Sequence, residues 1–325
     1  MMISVIIPVY KAEAYLQEAV ESALSQPETG EVILVEDNSP DGSLKLCQAL
    51  AEIHEKVRLL RHPNGENRGA GASRNLGIRK ARHDFIAFLD ADDFYLPGRF
   101  DISRQLFQSY PEIDGVYEAV GVHFESPAAK DRWFSSGGKE LTTLSEKVKP
   151  EHLFDALLNG GYGHIHLDGL LVKKRIFEKC GFFLENLRLH QDTAMALQMA
   201  QAGVLVAGRL EKPVSKRRVH ESNRFSLRAE DRPATAVQMT RTMFWWAIRK
   251  GFEAKKIDDL AYKYWYCSAK LLLRPLAGPG EWLKNLLAVL HLFLRHPLIA
   301  RKSLFDFRER HIRRKKKSNL CSQRN

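Results

Sequence analysis

The chain is poor in cysteine, and what it has is scattered: Cys47, Cys180, Cys267 and Cys321 form no Cys-x-x-Cys pair. This spacing argues against a zinc cluster or a dithiol redox motif, and four reduced thiols predict a cytosolic protein. A membrane-spanning run is missing too. The apolar stretch at 1–7 lacks a basic leader and stops at Pro8, and the one at 282–294 is broken by Lys284 and His291 before Arg295. Neither a signal peptide nor a bilayer span is expected. The turn after the first apolar run contains no glycine, and no Gly-Lys-Ser/Thr occurs in the chain's one glycine-rich loop, so dinucleotide and ATP-type phosphate loops are disfavoured. Internal repeats are absent. With 44% hydrophobic and 27% charged residues in 325, disorder is excluded and a real core is affordable.

Charge is unevenly spread. The net charge is +11, but residues 301–325 hold ten Lys or Arg against Asp306 and Glu309, leaving 40 basic and 37 acidic residues in 1–300. The body is nearly neutral and the tail is basic.

Short β-branched runs at 4–9, 31–35, 57–60 and 85–89 alternate with helical patterns at 12–25, about 39–54 and 72–82, with Ser39-Pro40 as a cap and first-turn proline. This order predicts an α/β fold with a mostly parallel, Rossmann-like sheet and helices on both faces. Further on, the pattern predicts a helix opening near Pro97, a strand at 115–124, a loop at 126–138, a helix at 151–158, a strand at 167–172, a helix at 192–202 and a strand at 204–207, completing a mixed sheet. After about residue 230 the strands end. Helical segments at 233–250, 255–274, 281–295 and 298–317 predict an all-α appendage, giving domains 1–229 and 230–325.

Two strands end in carboxylates, one at Glu36-Asp37 and one at Asp90-Ala91-Asp92-Asp93. Ligands of open α/β sheets bind beyond such strand ends. Asp37 and Asp41 read equally well as caps of the helix that follows. Three aspartates in four residues exceed any capping need, and hard oxygen donors suit Mg²⁺ or Mn²⁺ carrying a diphosphate. The glycine-rich stretch 67–77, with Arg68 and Arg74, reads either as a phosphate-binding helix entry or as a tight turn.

Four motifs in order, Ser-Val-Ile-Ile-Pro-Val-Tyr-Lys at 4–11, Val-Glu-Asp-Asn-Ser-Pro-Asp-Gly-Ser at 35–43, Gly-Ala-Gly-Ala-Ser-Arg-Asn-Leu-Gly-Ile at 69–78 and Phe-Leu-Asp-Ala-Asp-Asp at 88–93, resemble family 2 glycosyltransferases. The resemblance runs to about residue 225. It implies a GT-A fold and an inverting transfer from a nucleotide-diphosphate sugar, UDP-linked by default, with Mn²⁺ or Mg²⁺. It makes Pro8 and Tyr10 the wall of the base pocket, with Glu36 and Asp37 beside the nucleobase. Arg68 and Arg74 are its cations near the nucleotide, Asp90 and Ala91 its ribose side, and Asp92 and Asp93 its metal ligands. His190-Gln191-Asp192 resembles the segment ending in Glu-Asp, with Gln191 in place of Glu and Asp192 as catalytic base. Arg218-Val219-His220-Glu221-Ser222-Asn223 resembles Arg-x-His-x-x-Asn, which brings His220 to the metal or diphosphate.

His164, His166 and Asp168 alternate as on one face of a strand; they read as a metal cluster or, more economically, as acceptor contacts through His166 and Asp168. The apolar 282–294 and basic 308–317 stretches together have the composition of a peripheral anchor on an anionic membrane surface, spanning 281–317. That placement suits a saccharide or lipid-linked acceptor, such as a growing lipopolysaccharide core, at the cytoplasmic face. Gln238-Met239-Thr240-Arg241-Thr242 lacks the Trp of the processive Gln-x-x-Arg-Trp element, which favours single additions. Two rival classes remain open. A sugar nucleotidyltransferase would carry a basic glycine-rich loop after the first strand, where only Lys11 stands. A non-catalytic binder using the tail leaves the acidic strand ends unexplained, and their sign repels nucleic acid.

Overall fold

The computed structural model describes residues 1–220 and 232–272. Aliphatic runs with no polar face become β1 (Ile3–Val9) and β2 (Thr29–Glu36), buried along nearly their whole length as strands covered on both sides must be. Between them α1 (Leu16–Leu24) turns Leu16, Ala19, Val20 and Ala23 inward. Next come α2 (Ser43–Ile53), β3 (Val57–Arg61), α3 (Gly69–Lys80) and β4 (Phe85–Phe88). These four strands pair in parallel in the order β4-β1-β2-β3. The chain winds outward from β1 to β3 and then returns to the far side of β1, so a switch point opens between the carboxyl ends of β1 and β4.

The rest of this unit adds β5 (Phe94–Tyr95), α4 (Asp101–Ser109), β6 (Gly115–Tyr117), β7 (Val120–Phe124), α5 (Pro127–Ser135), β8 (Leu141–Thr142), α6 (Pro150–Asn159), β9 (Leu170–Lys173), α7 (Ile176–Cys180), α8 (Gln191–Ala202), β10 (Leu205–Ala207) and β11 (Ser215–Val219). The seven-stranded sheet runs β10-β6-β9-β4-β1-β2-β3, with β9 antiparallel to both neighbours. A second sheet runs β5-β11-β7-β8. The later strands therefore do not all complete one sheet as expected.

Local departures from the sequence reading have identifiable causes. The strand expected over 115–124 is two strands in two sheets, because Glu118 turns inward to Arg99 Nη1 at 3.1 Å and Ser103 Oγ at 2.6 Å. The expected loop at 126–138 contains α5, capped by the Ser126 hydroxyl accepting from Ala129 N–H and opened by Pro127. Helix α2 begins at Ser43 rather than Ser39-Pro40. Asp41 holds its entry, accepting from the backbone N–H and hydroxyl of Ser43. Helix α3 begins at Gly69, so the glycine-rich run is its first turns. Residues 164–168 form no strand: His166 is extended and Leu167–Gly169 is a 3-10 turn.

By contact density the chain divides into the units Met1–Leu227 and Arg228–Asn325. The second contains α9 (Arg232–Arg249) and α10 (Ala254–Leu272), which pack on each other. Gly251, with φ +67°, closes α9: Phe252 N–H donates to Ala247 O and Gly251 N–H to Ile248 O, a turn whose left-handed residue favours glycine. The helices expected at 281–295 and 298–317 and the proposed anchor at 281–317 lie outside the described residues. Among the described residues no helix is long and apolar enough to cross a membrane.

Candidate active site

At the end of β2 both acids have full partners. Glu36 accepts from Ser39 N–H at 2.5 Å and Arg61 Nε at 2.9 Å. Asp37, 2% exposed, accepts from the backbone N–H of Arg68 at 2.7 Å and of Gly69 at 2.8 Å. Its carboxylate therefore caps α3, one helix beyond the one expected, and offsets the positive end of that helix. Pro8 lies opposite Val35 in β1, and the half-buried Tyr10 follows the strand with Lys11 Nζ 5.6 Å from its ring centre.

At the end of β4 the acids are crowded. Asp93 N–H donates to Asp90 O at 3.0 Å, closing a turn that brings Asp90 and Asp93 together, with the small Ala91 buried in it. Ligand atoms of Asp90, Asp93 and His166 all lie within 4.8 Å of one another. Asp92 instead meets His220, Oδ2 to Nε2 at 3.1 Å, and the His220 ring lies 4.9 Å from Tyr15. The expected metal set of Asp92, Asp93 and His220 is thus divided by the turn, and His166, expected on the acceptor side, joins the carboxylates.

Asp168 is fully buried beneath this group. Its Oδ1 accepts from Asp90 N–H at 3.1 Å, its Oδ2 has no hydrogen-bond partner and stands 3.5 Å from His166 Nδ1. Burial and the Asp168 charge push Asp93 well above the ordinary carboxylate range, and burial and the Asp90 charge raise Asp168 as well. Burial opposes ionisation of Asp90 too, but Arg74 outweighs it and holds that carboxyl low. Burial drives His166 down to about 4, leaving a neutral imidazole whose Nδ1 accepts from Asp168 N–H at 3.3 Å. Carboxylates short of donors, one orphaned buried oxygen and a neutral imidazole are the donor set of a hard divalent cation, so Mn²⁺ or Mg²⁺ fits these residues.

The arginines divide by partner. Arg74 is buried, with Nη2 2.5 Å from Asp90 Oδ1. Arg68 pairs at the surface with Glu185 at 3.1 Å. Arg218 locks the acidic turn: its N–H donates to Asp93 Oδ1 at 2.7 Å, its Nε to Asp92 O at 3.0 Å, and its guanidinium binds Glu18 and Glu125. Asn223 of the same motif lies outside the described residues.

Asp192 stands in the first turn of α8, half-buried, with Oδ1 accepting from Thr193 N–H at 2.8 Å. Its negative charge is felt by both His164 and His166. The segment leading to it is moored on α3. Asn75 Nδ2 donates to Phe183 O at 2.9 Å and Glu185 Oε1 at 3.0 Å, and Asn75 Oδ1 accepts from Phe183 N–H at 2.8 Å. Gly71 brings α3 close to this segment: a Cβ there would stand 2.3 Å from Gln191 Oε1, which would have to swing aside.

Two supporting groups escaped the sequence reading. Arg99, fully buried, donates from Nε to Asp168 O at 2.9 Å and pairs with Glu118, fixing the turn that carries Asp168. Gly169 follows at a close crossing where a Cβ would meet Glu118 O at 2.2 Å. A lone carboxylate inside the apolar 115–124 run was the available signal for the first.

The profile of glycosyl transferase family 2 matches residues 4–178. Among curated relatives, the minor teichoic acid biosynthesis protein GgaB of Bacillus subtilis is 30% identical over 221 residues, covering 61% of this chain and 24% of that protein. EpsJ of the same organism, named an uncharacterized glycosyltransferase, is 33% identical over 206 residues, 60% of this chain and 55% of its own length. An uncharacterized glycosyltransferase of Haemophilus influenzae is 42% identical over 94 residues, 29% of this chain and 37% of its own. The matches thus span about a quarter to a half of these relatives. Among solved structures, S. aureus TarS 1–349 in complex with UDP-GlcNAc superimposes with a TM-score of 0.66 at 16% identity, over 90% of this chain and 81% of that one. At that identity the likeness speaks for the fold, the GT-A architecture with helices appended.

Proposed function

The chain belongs to family 2 of the glycosyltransferases, and on that premise we propose that it moves a sugar from a UDP-linked donor to a hydroxyl of a saccharide or lipid-linked acceptor, inverting the anomeric carbon. The work it serves is the building of cell-surface polysaccharide or lipopolysaccharide at the cytoplasmic face of a membrane. The observation that carries the reading is the under-neutralised carboxylate group at the switch point between β1 and β4, with the charge of Asp192 felt at His166. A relative named for teichoic acid biosynthesis and a structural neighbour solved in complex with UDP-GlcNAc support the acceptor and donor classes.

In this proposal Pro8 and Tyr10 flank the base, Asp37 holds the first turn of α3 against it, and Arg74 keeps Asp90 ionised and aimed. Asp90, Asp93 and His166 would hold the divalent cation, with Asp92 and His220 alongside. A bound Mn²⁺ or Mg²⁺ supplies positive charge to the departing diphosphate. Asp192 accepts the proton of the acceptor hydroxyl as that oxygen bonds to C1. The C1–O bond to the diphosphate breaks, and its electron pair leaves with the nucleotide. One displacement inverts the centre, and the proton transfer contributes about 10²–10⁴-fold.

The test is Asp192→Asn with sugar transfer and UDP binding measured side by side. Transfer falls by about 10²–10⁴-fold while UDP affinity persists; equal loss of both would make Asp192 a structural residue. Chelation by EDTA abolishes transfer and added Mn²⁺ restores it, whereas full activity in chelator would sink the cation assignment.

A further inference from the structure

Helix α9 has one face turned to solvent and one to the interior. Met243, Phe244, Trp246 and Ala247 are buried, while Arg241, Trp245, Ile248 and Arg249 are exposed. The exposed four follow at i, i+4, i+7 and i+8, the spacing of a single helix face. Trp245 is 43% exposed and Ile248 39%, the two large apolar side chains of α9 that face solvent to this degree. The Trp245 indole packs edge-on against Phe244 with ring centres 5.3 Å apart, so it is held at the surface rather than swinging free. From Arg241 to Lys255 the exposed charges are Arg241, Arg249, Lys250 and Lys255 against Glu253 alone.

We propose that this face of α9 docks on an anionic phospholipid surface, with Trp245 and Ile248 entering the headgroup region and Arg241, Arg249, Lys250 and Lys255 lying against lipid phosphates. An indole with an aliphatic neighbour is stabilised at a water–lipid boundary, and cations beside it are attracted to anionic headgroups. The charge decides against the other occupants. A second copy of the face would oppose like charges. Residues 301–325 of the chain, with ten Lys or Arg and two acids, would be repelled as well. A nucleic acid would satisfy the cations but leave Trp245 and Ile248 unused. The inference deepens the lipid-linked acceptor of the proposed function, yet vesicle binding needs neither donor nor acceptor, so each stands or falls separately.

The experiment is co-sedimentation of the full chain with phosphatidylglycerol-containing vesicles and with pure phosphatidylcholine vesicles, at about 0.1 M salt. The chain partitions onto the anionic vesicles only. Trp245→Ser with Ile248→Ser weakens partitioning by about tenfold, and Arg241→Gln with Arg249→Gln by about twenty-five-fold, near fivefold per charge. Both double variants keep the melting temperature of the wild type. Absence of binding by the wild type, or binding unchanged in both variants, overturns the proposal. So does a lowered melting temperature of the Trp245→Ser, Ile248→Ser variant without vesicles, since another part of the chain would then cover the face. If that variant does not fold, the arginine pair gives the same reading. Equal loss of binding to a DNA duplex in the arginine variant, with vesicle binding intact, would make the face a polyanion site instead.

Discussion

The carboxyl ends of β2 and β4 carry the same signature, acids directly after a buried apolar run, and the structure treats them in opposite ways. Along β2 each acid has its donors: Glu31 takes Ser4 Oγ, Arg82 N–H and Arg58 Nη1, each at 2.6 Å, Glu36 takes Ser39 and Arg61, and Asp37 takes two backbone N–H groups of α3. Beyond β4, Asp93 and Asp168 lie acid against acid, and Asp168 Oδ2 accepts from no N–H or hydroxyl. A satisfied carboxylate stabilises the fold; a buried one that lacks donors is costly unless a cation arrives. The number of donors, rather than the number of acids, separates scaffold from site.

That contrast can be broken most forcefully at Asp93. Asp93→Asn lowers transfer by at least about a hundredfold and removes Mn²⁺-dependent UDP binding. The same change raises the melting temperature in metal-free buffer, because a carboxyl that burial and Asp168 keep from ionising is gone while the amide oxygen still accepts from Arg218 N–H. A lowered melting temperature would show that Asp93 is scaffold after all. Asp37→Ala works the other way: two backbone donors are orphaned and stability falls by on the order of 1–3 kcal/mol in a denaturant melt, with Asp37→Asn milder. No change would mean that solvent replaces the cap.

Glu31 sharpens the comparison through pH. Burial opposes its charge, but the Ser4 hydroxyl, Arg82 N–H and Arg58 outweigh it, so its carboxyl titrates below the ordinary 4.5. A depressed value contributes stability that is complete above the unfolded value and is lost as pH falls through the folded one. Melting temperatures of Glu31→Gln between pH 6 and pH 3 therefore fall less steeply than those of the wild type; parallel curves would exclude Glu31 from the acid transition. The smallest effect belongs to the exposed Arg68–Glu185 pair: Arg68→Ala changes stability by less than about 1 kcal/mol in the same melt. A larger loss would assign that pair a part in mooring the segment before Asp192.

Much of the fold was readable from local pattern. The runs that became β1, β2, β3 and β4 and the helices between them have periodicities that depend only on neighbouring residues. The Asp90–Asp93 cluster was equally visible. What escaped was long-range. Helix α5 hides behind polar residues although Ser126-Pro127 caps it, and Glu118 splits a strand only because Arg99 waits nineteen positions away in the folded chain. The grouping of the aspartates was hidden for the same reason: a turn hydrogen bond puts Asp90 and Asp93 together, and His166 comes to them from the other side of β4 through β9.

The order of strands and helices, the family motifs and the placing of acids after apolar runs were determined by the sequence itself, since each rests on contacts within a few residues. Tertiary structure alone decided which acids are neutralised and which are crowded together, because Asp37 finds its donors 31 and 32 residues onward, Asp90 N–H its acceptor 78 residues onward, and Asn75 its anchor 108 residues onward. Electrostatic state in a folded chain is set by what lies near in space, and a linear sequence leaves that distance unstated.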